Sequence, residues 1–326
     1  MDTPVLGVQA YDGPNRWQVS MSWRYQQSDR HFRGSHEEAN RQAEGSEVIN
    51  TINLAEIGIR YNPNELWSLS LGVPYFTAER SSPIRDASRV VVDRSITEAN
   101  GLGDITLTAR RLLWKPSQRP DSNISLGFGL KFPTGEYDVF DDRERLVDGE
   151  RVVTHESVDQ SIQPGDGGFG AILDVQAFHR IAQSGGNLYF SASYLVNPEG
   201  TNGVPTFRGA VGEEVMSIAD QYLARAGVTY SAASWKGFGV GLGGRLEGVP
   251  VEDLIGDSDG FRRPGYAFSI EPALSYSRGP HAISVAVPVA LYRNRTRSVP
   301  DRMVPGRHGD AAFADYVVML GYWRKY

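Results

Sequence analysis

The chain reads as all-β, a transmembrane antiparallel up-and-down β-barrel of twelve strands with short periplasmic turns and long extracellular loops. Three observations predict it: apolar residues recur with period two, connections between strands alternate long and short, and tryptophans gather at one end of the strands. The clearest period lies between Gly101 and Gly135. Ile124, Leu126, Phe128, Leu130 and Phe132 alternate with Asn123, Ser125, Gly127, Gly129 and Lys131; before the polar break at 115–122, Ile105, Leu107 and Ala109 alternate with Asp104, Thr106, Thr108 and Arg110. Successive strand side chains point to opposite faces, so each arm carries one apolar face and one small or charged face. Alone, that pattern suits a soluble sandwich as well as a membrane barrel.

Taken in order, residues 1–15 hold Pro4, Gly7, Gly13 and Pro14 without period, so an irregular segment, free or lodged in a lumen, precedes a single barrel domain over 16–326. The first strand alternates Trp17, Val19, Met21, Trp23 and Tyr25 with polar residues. After a polar loop at about 28–46 come Ala55, Ile57, Ile59 and Tyr61, then a turn at 62–65, then Trp67, Leu69, Leu71, Val73 and Tyr75. A polar loop at about 77–100 leads into the two arms described above, and a longer one spans about 133–167. Strands follow with Leu173, Val175 and Ala177; Leu188, Phe190 and Ala192; Ala224, Ala226 and Val228; Val240, Leu242 and Leu246; Phe268, Ile270 and Leu274; Ile283, Val285 and Val289; and Tyr316, Val318, Leu320 and Tyr322.

The connections thus alternate strictly, which a sandwich has no reason to do and an outer-membrane barrel does. Trp17, Trp67, Trp114, Trp235 and Trp323 fall near the short-turn end, as an interfacial belt requires; Trp23 does not. The terminal Tyr326, in phase with Tyr322, is similar to the closing strand signal of outer-membrane barrels. Pro74, Pro272 and Pro288 lie inside expected strands and call for bulges or broken ladders, because a closed barrel has no free edge for a missing donor.

Composition narrows the class further. The 36 glycines, 15 tyrosines and 13 phenylalanines suit a β protein, and the absence of cysteine excludes disulfides and thiolate metal sites. A net charge of −6 without a basic run argues against a nucleic-acid partner. No window is long and apolar enough for a transmembrane helix. The first residues lack the basic and apolar regions of a secretory signal, so Met1 reads as a start added to a mature sequence whose signal peptide is absent.

If the apolar phase faces lipid, the other phase lines the lumen and the solute pathway: Arg24, Glu56, Arg60, Asp104, Arg110, Lys131, Asp174, Arg225, Arg245, Glu247 and Glu271, among many small residues. Charges of both signs form either cross-lumen ion pairs or a polar pore of mixed sign. Twelve strands imply a bore between the filled interior of eight and the aqueous channel of sixteen. Gly127, Gly129, Gly239, Gly241 and Gly243 either keep that bore open or relieve crowding. His155 and Ser157 are the nearest approach to a catalytic pair, an acyl-transfer dyad in a barrel lipid hydrolase, but no orienting group accompanies them. The other histidines lack metal-ligand spacing, and no cofactor or metal is expected.

Three short motifs carry a resemblance: Gly101-Leu102-Gly103-Asp104, Phe132-Pro133-Thr134-Gly135 and Val73-Pro74-Tyr75. From about the second strand onward the chain resembles the outer-membrane proteins of the meta-pathway of phenol degradation family. The resemblance implies a barrel transporter of the bacterial outer membrane, linked in some members to uptake of aromatic or other hydrophobic compounds. The lumen phase of this chain departs from that picture in being mostly small and charged. The resulting expectation is a non-enzymatic, monomeric channel for passive passage of a small-molecule solute, in contact with outer-membrane lipid and lipopolysaccharide. The alternative is an interaction barrel with an occluded lumen and working extracellular loops.

Overall fold

The computed structural model describes residues 16–181 and 185–326; the expectations for residues 1–15 lie outside the described residues. Twelve wall strands follow in order. They are β1 (Arg16–Arg33), β2 (Ile49–Asn62), β3 (Trp67–Arg85), β4 in two segments (Val91–Leu102 and Thr106–Leu112), β5 (Ser122–Lys131) and β6 (Gly170–Ile181). Then come β7 (Gly186–Val196), β8 (Gln221–Tyr230), β9 (Phe238–Val249), β10 (Gly265–Arg278), β11 in two segments (His281–Ala286 and Val289–Arg295) and β12 (Ala311–Lys325). Each pairs antiparallel with its neighbour in sequence, and β12 returns to pair with β1 from Gln18↔Lys325 to Phe32↔Ala311. The sheet is closed, so no strand edge is left to face lipid.

The burial pattern is inverted relative to a soluble protein. Met21, Ile57, Leu126, Phe128 and Leu274 are more than half exposed on the outside, whereas Arg225, Arg245 and Glu271 are at most 3% exposed. An apolar outer band over a charged interior is what a transmembrane barrel presents to a bilayer. Trp17, Trp67, Trp114 and Trp235 lie at the short-turn end of this band, Trp323 lies at the same end in the lumen phase, and Trp17 stacks on Tyr61 with ring centroids 4.5 Å apart.

Two breaks interrupt the wall, each opposite a proline. The gap in β4 at 103–105 faces Pro74 of β3, whose carbonyl accepts from the Gly103 amide at 3.0 Å. The gap in β11 at 287–288 faces Pro272 of β10, whose carbonyl accepts from the Val287 amide at 3.1 Å, while Pro288 offers its own carbonyl to Val317. The missing proline donors thus fall where the neighbouring ladder is already open.

The long connections hold more structure than their polar composition announces. Residues 77–100 do not form a loop: β3 and β4 rise past the apolar band as a hairpin that turns only at 86–90. Within 133–169 a second hairpin pairs Phe140–Val147 with Glu150–Ser157, and the turn Gln160–Ile162 folds back into the mouth. There Ile162 and Val158 pack with Ala78 and Ala99 on the inner face of the β3–β4 hairpin, so this connection caps the barrel from within.

Three glycine-containing segments knot that connection to the wall. The Asp104 carboxylate accepts from the amides of Gly135 at 3.0 Å and Asp166 at 3.3 Å, and the Thr134 hydroxyl accepts from the Ile105 amide at 2.9 Å. A Cβ at Gly135 would stand 2.9 Å from backbone atoms of both Gly103 and Gly165. Gly135→Val is therefore expected to destabilise the barrel by about 1–3 kcal/mol or more, since backbone cannot yield as a side chain does. The check is the denaturant midpoint of the heat-modifiable folded band; an unchanged midpoint would contradict this packing.

Candidate functional site: the lumen and its cap

Every second residue of each strand points inward, and eleven positions carry the expected charges. The structure brings most of them together as ion pairs along the wall. The Arg225 guanidinium of β8 reaches over β9 to Glu271 of β10, with Nε 3.0 Å from the carboxylate, and Arg245 adds a second cation 3.6 Å from Glu271. Arg110 of β4 reaches over β5 in the same way to Asp174 of β6, at 2.5 Å. Across the lumen, Arg24 of β1 meets Glu247 of β9 at 3.5 Å, and Glu247 also receives Arg245 at 2.7 Å. Glu56 and Arg60 line the wall of β2 beside Gly72 and Ser70 respectively.

Asp104 and Lys131 take a different place. Lys131 pairs with Asp166 and lies 3.7 Å from Asp104, so both side chains sit at the root of the capping connection. Their local role is to hold that root.

The lumen glycines do not leave open space. A Cβ at Gly127 would meet Arg110 and Asp174 at 3.0 Å, and one at Gly227 would meet the Tyr189 hydroxyl at 2.8 Å. Long side chains from neighbouring strands lie flat across these positions, which is how ion pairs can span two strands. At Gly127, Gly129, Gly239 and Gly243 the missing side chain therefore relieves crowding.

Among the described residues, three cavities follow one another along the lumen. The one nearest the short turns is about 480 Å3, lined by Arg60, Asn62, Arg110, Gln176, Phe178 and Tyr189 among others. A middle constriction of about 130 Å3 shares Arg60 and Arg110 with it. An upper chamber of about 330 Å3, bounded by Arg24, Arg245, Glu247 and Arg263, shares Ser193 with the constriction. Leu112, Ile172, Phe178 and Tyr189 also face inward, so the lumen has apolar and aromatic surface beside its charges. The alternation itself marks them, because Ile172 and Phe178 share a phase with Asp174. Counting only charged and small residues overlooks them.

Loop residues complete the upper end. Arg263 holds Asp159 through two bonds of 2.7 Å, and Arg80 lies 3.4 Å from the same carboxylate. Beside them the guanidinium of Arg143 lies 4.1 Å from the ring centre of Phe207, Arg208 lies 4.0 Å from that of Phe261, and Arg263 4.6 Å from Phe261. These contacts join three separate connections, and no local pattern in the chain announces them. The His155–Ser157 pair is not assembled: His155 bonds Asp142 at 2.9 Å on an exposed hairpin, while the Ser157 hydroxyl donates to the Pro205 carbonyl.

Comparisons with known proteins can be set against this geometry. Residues 61–145 match the family described as "Putative MetA-pathway of phenol degradation". That stretch runs from the end of β2 into the capping hairpin and contains the Gly103–Gly135 knot. In three dimensions the chain is similar to an outer membrane channel from Pseudomonas putida F1, at TM-score 0.63 and 13% identity over 100% of both chains. It is also similar to the translocator domain of the autotransporter NalP from Neisseria meningitidis, at TM-score 0.51 and 9% identity over 96% of this chain and 90% of that one. At these identities the likeness is one of fold. No curated protein matches the chain in sequence.

The cap carries a pH dependence of definite sign. Burial alone would raise the Asp159 carboxyl, but Arg263 and Arg80 outweigh it and hold it well below its ordinary 3.8. A carboxyl so depressed stabilises the fold fully above the ordinary value and loses that contribution as pH falls from there through its lowered folded value. Asp310 behaves alike, its burial outweighed by the hydrogen bond from His31 and by Arg41. Asp159→Asn at neutral pH should mimic acid by leaving the buried Arg80 and the part-buried Arg263 without their carboxylate. Trypsin is expected to cut within 143–163 at least about ten-fold faster in that variant; an unchanged rate would contradict the role assigned to this carboxylate.

Proposed function

We propose that the protein is a bacterial outer-membrane channel through which small solutes, aromatic or otherwise hydrophobic compounds among them, pass down their gradients. The observation that carries this reading is the line of cavities through a closed barrel, with charged and aromatic walls. The match to a phenol-degradation family and the fold shared with an outer membrane channel of a Gram-negative bacterium support it. Phe178 and Tyr189 in the lower chamber supply ring faces, while amides and guanidiniums around them supply hydrogen-bond donors; a small pocket of this kind orients a ring with few polar contacts. The proposed work is passage, without chemistry. The residues serving it are Arg24, Glu56, Arg60, Arg110, Asp174, Arg225, Arg245, Glu247 and Glu271 along the narrowed section. A closed barrel satisfies its own strand edges, so a monomer suffices. Outer-membrane lipid would surround the apolar band, with lipopolysaccharide beside the long loops.

The linings of both end chambers hold more arginine than carboxylate, Arg60, Arg110 and Arg180 against Glu65 below and Arg24, Arg245 and Arg263 against Glu247 above, although Arg110, Arg180, Arg245 and Arg263 are also paired with Asp174, Asp121, Glu271 and Asp159. A pore lined by such charge favours anions over cations of equal size. Vesicles reconstituted with the folded chain should therefore admit benzoate faster than benzylammonium, and exclude a disaccharide. Removing the cross-lumen pair in Arg24→Ala/Glu247→Ala should raise benzoate flux by about two-fold or more. No protein-dependent flux of any of these solutes, with the chain shown to be folded, would overturn the channel reading.

A further inference from the structure

The short-turn end of the barrel carries a ring of cations that passage through the lumen does not use. Arg111, Lys115, Arg119, Lys236, Arg278 and Arg324 are all exposed there. Among the described residues of the same turns the carboxylates are Glu65, which accepts from the Ser117 hydroxyl at 2.8 Å, and Asp121, which lies 3.6 Å from Arg180. In a chain of net charge −6 this end is strongly basic, so the acidity lies toward the long loops.

The cations stand beside the aromatic belt. Arg111 is opposite Trp67 in the β3–β4 register, on the outer face. The guanidinium of Arg119 lies 4.4 Å from the ring centre of Trp114, and that of Arg324 lies 4.6 Å from the ring of Tyr326. Lys236 directly follows Trp235, whose ring meets Tyr230 edge-on at 5.3 Å. Indole and phenol rings settle at headgroup depth, so guanidiniums stacked on them are held at the same depth. A guanidinium there meets phosphodiester oxygens in the bidentate geometry it favours.

We propose that this rim is a docking surface for anionic phospholipid headgroups in the leaflet that borders the short turns, with the 113–121 turn and Trp67 as its principal seat. Headgroups necessarily border the end of an apolar band, and the rim selects among them by charge. The inference requires that the barrel spans a bilayer and is independent of whether solutes pass through it.

Intrinsic tryptophan fluorescence reports on this rim, since four of the six tryptophans, Trp17, Trp67, Trp114 and Trp235, lie at it. The full chain would be reconstituted in phosphatidylcholine vesicles containing either brominated phosphatidylglycerol or brominated phosphatidylcholine, and quenching compared. Phosphatidylglycerol is expected to associate at least about two-fold more strongly at low salt. The preference should fall toward one at about 0.5 M salt, and likewise in Arg111→Gln/Lys115→Gln/Arg119→Gln, whose folding is checked by heat-modifiable migration. Equal association of the two lipids at low salt would overturn the proposal. So would a preference unmoved by salt and by the triple variant, abolition of the preference by millimolar inorganic phosphate, which would point to an isolated phosphate site, or saturable binding of soluble polyglutamate without lipid preference, which would assign the rim to an acidic polypeptide. Benzoate flux in the same vesicles tests the channel reading separately, so failure of either is distinguishable from failure of the other.

Discussion

The pairing of β12 with β1 is the contact on which the rest of the structure depends. In hydrocarbon an unpaired backbone amide or carbonyl has no water to turn to, so a sheet can cross a bilayer only if its last strand finds its first. The register from Gln18↔Lys325 to Phe32↔Ala311 meets that condition. Closure dictates the alternation of apolar and polar residues around the whole wall. Pro74 and Pro272 accordingly stand where the strand on one side is interrupted.

Closure creates a second problem on the inside. Alternation turns half of the strand residues toward a narrow lumen, where charges are stripped of much of their water and must be paired. Arg225 with Glu271, Arg110 with Asp174 and Arg24 with Glu247 meet this need, and glycines on intervening strands give the long side chains room to reach across. The pairs narrow the bore to a constriction between two arginine-rich chambers. The capping connection narrows it again at the upper end, held by Asp159 between Arg263 and Arg80. The side chains that stabilise the interior are therefore the ones that narrow the bore.

Period two is a local property, so the twelve strands, their faces and the tryptophan belt are legible in the sequence. The polar loops were less legible because charged residues build strands equally well outside a membrane. Glu79, Arg94 and Glu98 lie in a β3–β4 hairpin whose outer face meets water, so its composition resembles that of a loop. The inward charges were readable one at a time from their phase, but their partners were not. Arg225 and Glu271 stand 46 residues apart, and which carboxylate faces which guanidinium follows from strand order and shear. The Asp159 cluster left no mark in the sequence, since its members come from three connections whose folding is set by tertiary contact alone.

The motifs that suggested a family proved structural. Gly101–Asp104 and Phe132–Gly135 interlock at the wall break facing Pro74, where only residues without side-chain bulk allow the backbones to meet. What such a knot positions is the cap, and what the cap bounds is the passage. If the protein is a channel, this passage conducts. Single-channel recording of the folded wild-type chain in planar bilayers tests it most directly. Discrete conductance steps, smaller than those of wide general porins, are the predicted result, and a silent bilayer containing demonstrably folded protein would contradict it.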